Sequence, residues 1–242
     1  MAVTTSTRKG ATRAASAKTV GKSLPLRPVS RETVQDHVYR ELKELILNGG
    51  IEPGRTVTIQ SLSDAFGVSA MPVREAMHRL VAEKALTVVA GRSVGIPPLS
   101  VERLEDLKRV RVEIEGVATE WAARSISAAD LDRLGELITE METAHAAYDG
   151  RRYVPANREF HFIIYRAAGS DSMLSIIESL WLRIGPYFDL LNATGNWWAS
   201  NVEHRAMRDA LLRGDGVAAR AALKADIEGA AKALMGILEG QG

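Results

Sequence analysis

Apolar residues Val34, Val38, Leu42, Leu45 and Ile46 recur at three- and four-residue steps, which predicts an amphipathic helix that stops at Asn48, Gly49 and Gly50. After the turn Glu52-Pro53-Gly54, Thr58 is placed to cap a short helix that carries Ile59, Leu62, Ala65 and Phe66 inward. Gly67 suits the left-handed end of that helix, and Ser69 suits the cap of the next, accepting a hydrogen bond from a free backbone N–H. Pro72 falls in the first turn, where no intrahelical N–H is lost. From there Val73, Ala76, Met77 and Leu80 form one apolar stripe and leave Met71, Arg74, Glu75 and His78 on the opposite side. Two short extended runs, 86–89 and 93–96, flank Ala90-Gly91-Arg92 and predict a hairpin. Three helices followed by a hairpin make a winged helix-turn-helix, whose second motif helix is the one that enters a DNA major groove. A plain amphipathic helix has the same binary pattern, so the neighbouring elements carry this reading.

Beyond Pro97-Pro98 the pattern becomes helical throughout. Ser100 caps a run of apolar residues from Leu104 to Ala122 that reaches about Ser125, with Gly116 as the place for a break. Ser127 caps a second helix with Leu131, Leu134, Leu137, Ile138 and Met141 inward, ending before Asp149-Gly150. Further helices are expected at 153–168, 171–192, 200–213 and 216–238, separated by Gly169-Ser170, Gly195-Asn196 and Gly214-Asp215-Gly216. Connections this short favour antiparallel neighbours and a compact bundle. The expected fold is mainly α: a basic tail over 1–30, a winged helix-turn-helix over 31–97, and an all-helical bundle over 98–242.

Composition narrows the class. The 242 residues suffice for two modest domains, and the absence of cysteine excludes disulfides and thiolate metal sites. No apolar run approaches the roughly 20 residues that span a bilayer, and a cytoplasmic location is expected. The formal charge of +1 hides an asymmetry: residues 1–98 hold 14 Lys/Arg against 8 Asp/Glu, and residues 99–242 hold 17 against 22. The basic half is the one with the outward arginine, as a phosphate-facing surface requires. Arg8, Lys9, Arg13, Lys18, Lys22 and Arg27 of the tail either add unspecific phosphate contacts or form a solvated arm.

Of the five histidines, His161 and His204 lie in the most suggestive settings. Asn157 and His161 are four apart, so both point from one helix face, a spacing that suits two ligands of one metal ion. A hydrogen-bonded structural histidine has the same spacing, and residue types alone leave the choice open.

The run Gly67-Val68-Ser69, Pro72-Val73-Arg74-Glu75-Ala76 and Leu80, with Ile51-Glu52-Pro53-Gly54 and Leu62 before it and a glycine-bearing wing after it, resembles the DNA-binding domain of the GntR family of bacterial transcription regulators. The resemblance implies that Arg74 reaches a guanine edge, that Ser69 and Met71 lie near phosphates and bases at the helix entry, and that Gly91 and Arg92 touch the minor groove. Gln60 and His78 join these as candidate DNA-binding residues. Gln60 and Ala70 stand where some members carry arginine, so the operator sequence does not carry over.

Residues from about 100 to 238 resemble the helical FCD domain of the FadR subfamily, through Arg111 with Glu115, Phe160-His161, Ala167-Ala168-Gly169, Glu203-His204 and Gly214-Asp215. In that subfamily an aspartate and three histidines bind a divalent transition metal, zinc or nickel-like, and a small carboxylate effector completes its coordination. The corresponding residues are Asn157, His161, His204 and Asp226, so the carboxylate has moved from the first position to the last. Two imidazoles and a carboxylate remain a competent set for zinc, with an amide oxygen as a weaker fourth ligand. The competing arrangement is a metal-free ion pair of Asp226 with one of the histidines. Arg111 is the candidate partner of the effector carboxylate, against a simple intrahelical pair with Glu115. Arg183, Tyr187, Asn192, Trp197 and Trp198 are further candidates for the cavity wall. The resemblance implies a homodimeric, ligand-responsive transcription regulator, most commonly a repressor, on a pseudo-palindromic double-stranded operator, and not an enzyme. The alternatives are a metal-dependent hydrolase built on His161, His204 and Asp226, and a DNA-binding protein with a purely structural helical half.

Overall fold

The structure, a computed structural model, describes residues 33–90, 93–188, 190–191 and 198–240, within one compact unit over Thr33–Gly242. The N-terminal tail, Gly91, Arg92, Asn192 and Trp197, and the side chain of Trp198, lie outside the described residues.

Helix α1 spans Val34–Leu47 and starts in a capping box: Thr33 accepts from the N–H of Asp36, and Asp36 accepts from the N–H of Thr33. Its buried face is Val38, Leu42, Ile46 and Leu47. Helix α2 (Ile59–Phe66) is capped by Thr58, and helix α3 (Ala70–Ala82) follows Gly67, whose φ of 63° only glycine adopts at little cost. Two local expectations change here. Ser69 holds the cap position of α3, but its side chain makes no capping hydrogen bond. Ala65 is exposed, and Ser63 is buried instead, its hydroxyl donating to the Ile59 carbonyl at 2.7 Å.

The wing is a three-stranded sheet rather than a hairpin alone. Strands β2 (Thr87–Ala90) and β3 (Ser93–Gly95) pair antiparallel, and β1 (Thr56–Thr58) joins the other edge of β3 with Val57 opposite Val94. Three residues are too few to show a period, and β1 exists because β3 offers it a free edge. Gly95 is required at the join: a Cβ there would sit 2.5 Å from the Arg55 carbonyl oxygen.

The helical half contains α4 (Val101–Ala122), α5 (Ala128–Ala146), α6 (Gly150–Ala167), α7 (Asp171–Ile184), α8 (Trp198–Leu212) and α9 (Gly216–Gly240). Helix α4 is unbroken at Gly116, where the missing side chain makes room for Arg220 of α9. Helix α7 ends eight residues before the expected 192, giving way to a 3-10 turn over Gly185–Tyr187. Pro186 supplies no N–H for a further helical bond, which explains the early stop. Helix α9 packs on α4 and α8, α5 on α6 and α8, and α4 on α6 and α7. Buried Leu104, Leu107, Leu134, Leu137, Phe160, Ile164 and Leu223 form the middle of this bundle.

The two halves touch through α1. Lys43 pairs with Glu178 of α7 at 2.6 Å, Glu44 pairs with Arg158 of α6 at 2.8 Å, and Leu47 packs beside Gly185. The Tyr187 hydroxyl donates to the Pro97 carbonyl, which fixes the linker against the end of α7.

Candidate functional site

On α3 the stripe Val73, Ala76, Met77 and Leu80 is buried, while Met71, Arg74, Glu75 and His78 are exposed. Arg74 enters no ion pair among the described residues. Arg79, one turn further on, is committed: its guanidinium lies 3.7 Å from the Tyr39 ring centre and its Nε is 3.2 Å from Glu83, which also accepts from the Tyr39 hydroxyl. Of these two exposed arginines, Arg74 has its donors available, the condition for reading a guanine edge. Gln60 is exposed and donates to Asp64 at 2.8 Å, so it is tied along its own helix; Ser69 is exposed at the entry of α3.

In the bundle, α6, α8 and α9 bring His161, His204 and Asp226 together. His161 Nε2 is 3.3 Å from His204 Nε2 and 3.4 Å from Asp226 Oδ2, and His204 Nε2 is 3.6 Å from Asp226 Oδ1. All three residues are buried. Burial pushes His204 down to about 4, outweighing the attraction of Asp226, so at neutral pH this ring is uncharged. Burial works against the charge of Asp226, but His204, a hydrogen bond from His161 and the Arg111 guanidinium hold its carboxyl down to about 2.

The outer nitrogens are engaged as well. His204 Nδ1 is 3.4 Å from Asn201 Oδ1, and His161 Nδ1 is 3.4 Å from the Tyr165 hydroxyl. A proton on His161 Nε2 gives the hydrogen bond to Asp226; with protons on the outer positions instead, the two Nε2 atoms and the carboxylate turn electron pairs toward one point. In that second arrangement three donor atoms lie within 4.8 Å of one another, and two imidazole nitrogens with a carboxylate fit a divalent cation of the zinc type.

A cavity of about 30 Å³ adjoins the cluster, lined by Arg111, Asn157, His161, Trp181, Phe188 and Asp226 among others. Asn157 is half-buried and lines the cavity, and its side chain makes no hydrogen bond among the described residues. Arg111 lines the cavity too, but its Nε and Nη2 donate to Glu115 at 2.7 and 3.2 Å, the intrahelical pair weighed above. Glu115 is completely buried and also accepts from Tyr165 and Trp181. The wall therefore includes Trp181 and Phe188, neither of which sequence reasoning selected. Tyr187 turns away to Pro97, and Arg183 is not in the wall.

Such an arrangement, a helix-turn-helix with an exposed arginine in one half and a helical bundle with a buried His/His/Asp cluster in the other, is that of a ligand-sensing transcription regulator. Comparison with known proteins specifies the family. Residues 34–96 match the bacterial regulatory proteins of the gntR family, and residues 106–229 match the FCD domain. The chain is 32% identical over 149 residues to the HTH-type transcriptional regulator McbR of Escherichia coli (strain K12), which covers 62% of this chain and 67% of that protein. It is 27% identical over 151 residues to the HTH-type transcriptional repressor GlaR of the same organism, covering 59% and 66%. The solved structure of E. coli McbR/YncC superposes with a TM-score of 0.75 at 26% identity, over 87% of this chain and 99% of that one.

This chain belongs to the gntR family of bacterial regulatory proteins, with an FCD domain as its second half. It is a DNA-binding transcription regulator with a helical effector-binding domain, in accord with the resemblance drawn from its sequence. Its relatives are regulators rather than enzymes, and nothing supports the hydrolase alternative. Among the described residues no helix is long and apolar enough to cross a membrane.

Proposed function

We propose that this protein is a cytoplasmic, homodimeric repressor whose grip on a pseudo-palindromic operator is set by a small carboxylate bound beside a divalent metal. The observation that carries the reading is the convergence of His161 Nε2, His204 Nε2 and the Asp226 carboxylate beside a cavity in a chain whose other half presents Arg74. His161, His204 and Asp226 hold the ion, with the Asn157 amide as the weaker fourth ligand. The ion supplies a Lewis-acid anchor for the effector carboxylate. The donor set carries one negative charge, so a divalent ion leaves the site net positive and attractive to an anion. Domain limits of 31–97 and 98–242 divide the two tasks.

On the DNA side Arg74 reads a guanine edge, with Gln60, Ser69, Met71 and His78 around it and Gly91 and Arg92 of the wing in the minor groove. A two-fold dimer matches a two-fold operator. Effector binding changes occupancy only by favouring one placement of the reading heads over another. The name of the relative GlaR supports repression as the sign.

Selection of bound DNA from a random pool, with zinc-loaded protein and a panel of carboxylic acids, tests this reading. An inverted repeat is expected, released by one class of acid only when metal is present. A site without symmetry, or binding indifferent to metal and to every acid, overturns it.

A further inference from the structure

Four residues of α6 stand at four-residue steps, Tyr153, Asn157, His161 and Tyr165, and so share one stripe of the helix. The two middle ones are among the proposed metal ligands, Asn157 as the weaker fourth. The outer two are tyrosines, and each hydroxyl touches the polar partner of a cluster histidine or the histidine itself.

Tyr165 is the better defined. Its hydroxyl donates to Glu115 Oε2 at 2.5 Å. Glu115 has no exposed surface; Arg111 donates to both its oxygens and Trp181 Nε1 adds a bond at 3.2 Å. The single proton of Tyr165 is thus committed to Glu115. Toward His161 Nδ1, 3.4 Å away, the phenolic oxygen can only accept. A contact that long contributes little energy, but its polarity is fixed by the buried carboxylate behind it.

We propose that Tyr165, anchored by Glu115, is a positioning residue for the metal centre: it holds the proton of His161 on Nδ1 and so presents the Nε2 electron pair to the ion. The inference rests on the metal reading above. It also assigns Arg111 a different task from the one the sequence suggested. Arg111 is the ion-pair partner of Glu115, and through Glu115 and Tyr165 it acts on His161. The line Arg111, Glu115, Tyr165, His161 runs from α4 to α6, with Trp181 adding α7. On the other side Tyr153 donates to Asn201 Oδ1 at 3.4 Å, and the same oxygen faces His204 Nδ1 at 3.4 Å, so the second imidazole is oriented in the same sense. Partners that orient metal-binding imidazoles in this way typically change affinity 10- to 100-fold when removed.

The test uses the full-length protein. Tyr165→Phe keeps the ring that stacks on His161 at 6.0 Å and 22° and removes only the hydroxyl. Zinc affinity, measured by competition with a chromogenic chelator, is expected to fall by about 10- to 100-fold. The visible spectrum of the cobalt(II)-loaded variant is expected to differ from that of the wild type. Unchanged zinc affinity in a folded variant overturns the proposal. A second measurement needs neither the variant nor the metal: nitrogen-15 NMR of the histidine rings in chelator-treated wild type at pH 8 is expected to show a proton on Nδ1 of His161. A bare Nδ1 overturns the positioning role. Failure of wild type to bind zinc, with Nδ1 of His161 protonated, sinks the metal reading alone and leaves the orientation of His161 as found.

Discussion

Replacing Asp226 by asparagine keeps the shape of the side chain and removes the only charge among the three convergent ligands. For the wild type, zinc at 100 times its dissociation constant stabilises the fold by about 2.7 kcal/mol, because the ion binds the folded cluster and not the open chain. For a chain of 242 residues, each kcal/mol moves the melting temperature by about 2–4 °C, so zinc is expected to raise it by about 5–11 °C over the chelator-treated protein. If Asp226→Asn weakens zinc binding by about 100-fold, the same zinc concentration equals the new dissociation constant, and the gain shrinks to about 0.4 kcal/mol, or about 1–2 °C. Differential scanning calorimetry on both proteins, with and without zinc, measures the two shifts. Equal shifts would mean that the ion sits elsewhere, and no shift in the wild type would leave the cluster a hydrogen-bonded core.

Arg74→Ala is expected to weaken binding to the selected operator by more than about tenfold while leaving unspecific binding nearly unchanged, since a bidentate base contact is worth about 1–3 kcal/mol per subunit; equal loss on all sequences in a mobility-shift titration would reduce Arg74 to a phosphate contact. For metal-free protein, His204 makes stability pH-dependent in a definite direction. Its ring takes a proton at 6.5 in the unfolded chain and at about 4 in the folded one, so the unfolded state binds more protons in that window and stability falls as pH drops through it. The full difference is about 3 kcal/mol, readable by urea titration at pH 7 and pH 4 in chelator, and a wild-type slope matched by His204→Gln would remove His204 as its source. Lys43→Ala combined with Arg158→Ala is expected to cost little stability, below about 2 kcal/mol, because both acidic partners are about half exposed. The same double variant is expected to lose most of the acid's effect on operator affinity, and an undiminished effect in the mobility shift would place the coupling elsewhere.

The helices of the reading head were legible because each is a local event. Val73, Ala76, Met77 and Leu80 define a face by spacing alone, and Gly67 ends a helix by its own backbone freedom. What escaped was non-local. Strand β1 is specified by the free edge of β3 rather than by Thr56-Val57-Thr58, and the silent Ser69 hydroxyl shows that a residue type at a cap position does not guarantee the bond. Pro186 was a local breaker within an apolar period that ran straight through it, and the breaker prevailed. For the site, the pair Asn157 and His161 followed from spacing and His204 stood out among the five histidines, whereas Asp226, 65 positions from His161, came only through the family resemblance. The spacing of Arg111 and Glu115 announced an ion pair but not its burial. A surface pair and a fully desolvated one look identical along the chain, and only the neighbours Tyr165 and Trp181 distinguish them.

The displaced carboxylate has a geometric consequence. With asparagine at 157 and aspartate at 226, the one carboxylate of the cluster comes from α9, which packs on α4 and α8, and α6 contributes an amide and an imidazole. If a metal and an anionic effector bind there as proposed, the effector repels α9 more than α6. Helix α6 meanwhile carries, one turn before His161, the Arg158 that pairs with Glu44 of the reading head, while α7 carries Glu178 against Lys43. A shift of α6 relative to α9 would therefore be felt at α1 through an ion pair and not through the linker, which Tyr187 pins. Packed helices move by small discrete steps rather than by smooth deformation, and an ion pair that holds in one position and breaks in the next turns such a step into two states of the reading head.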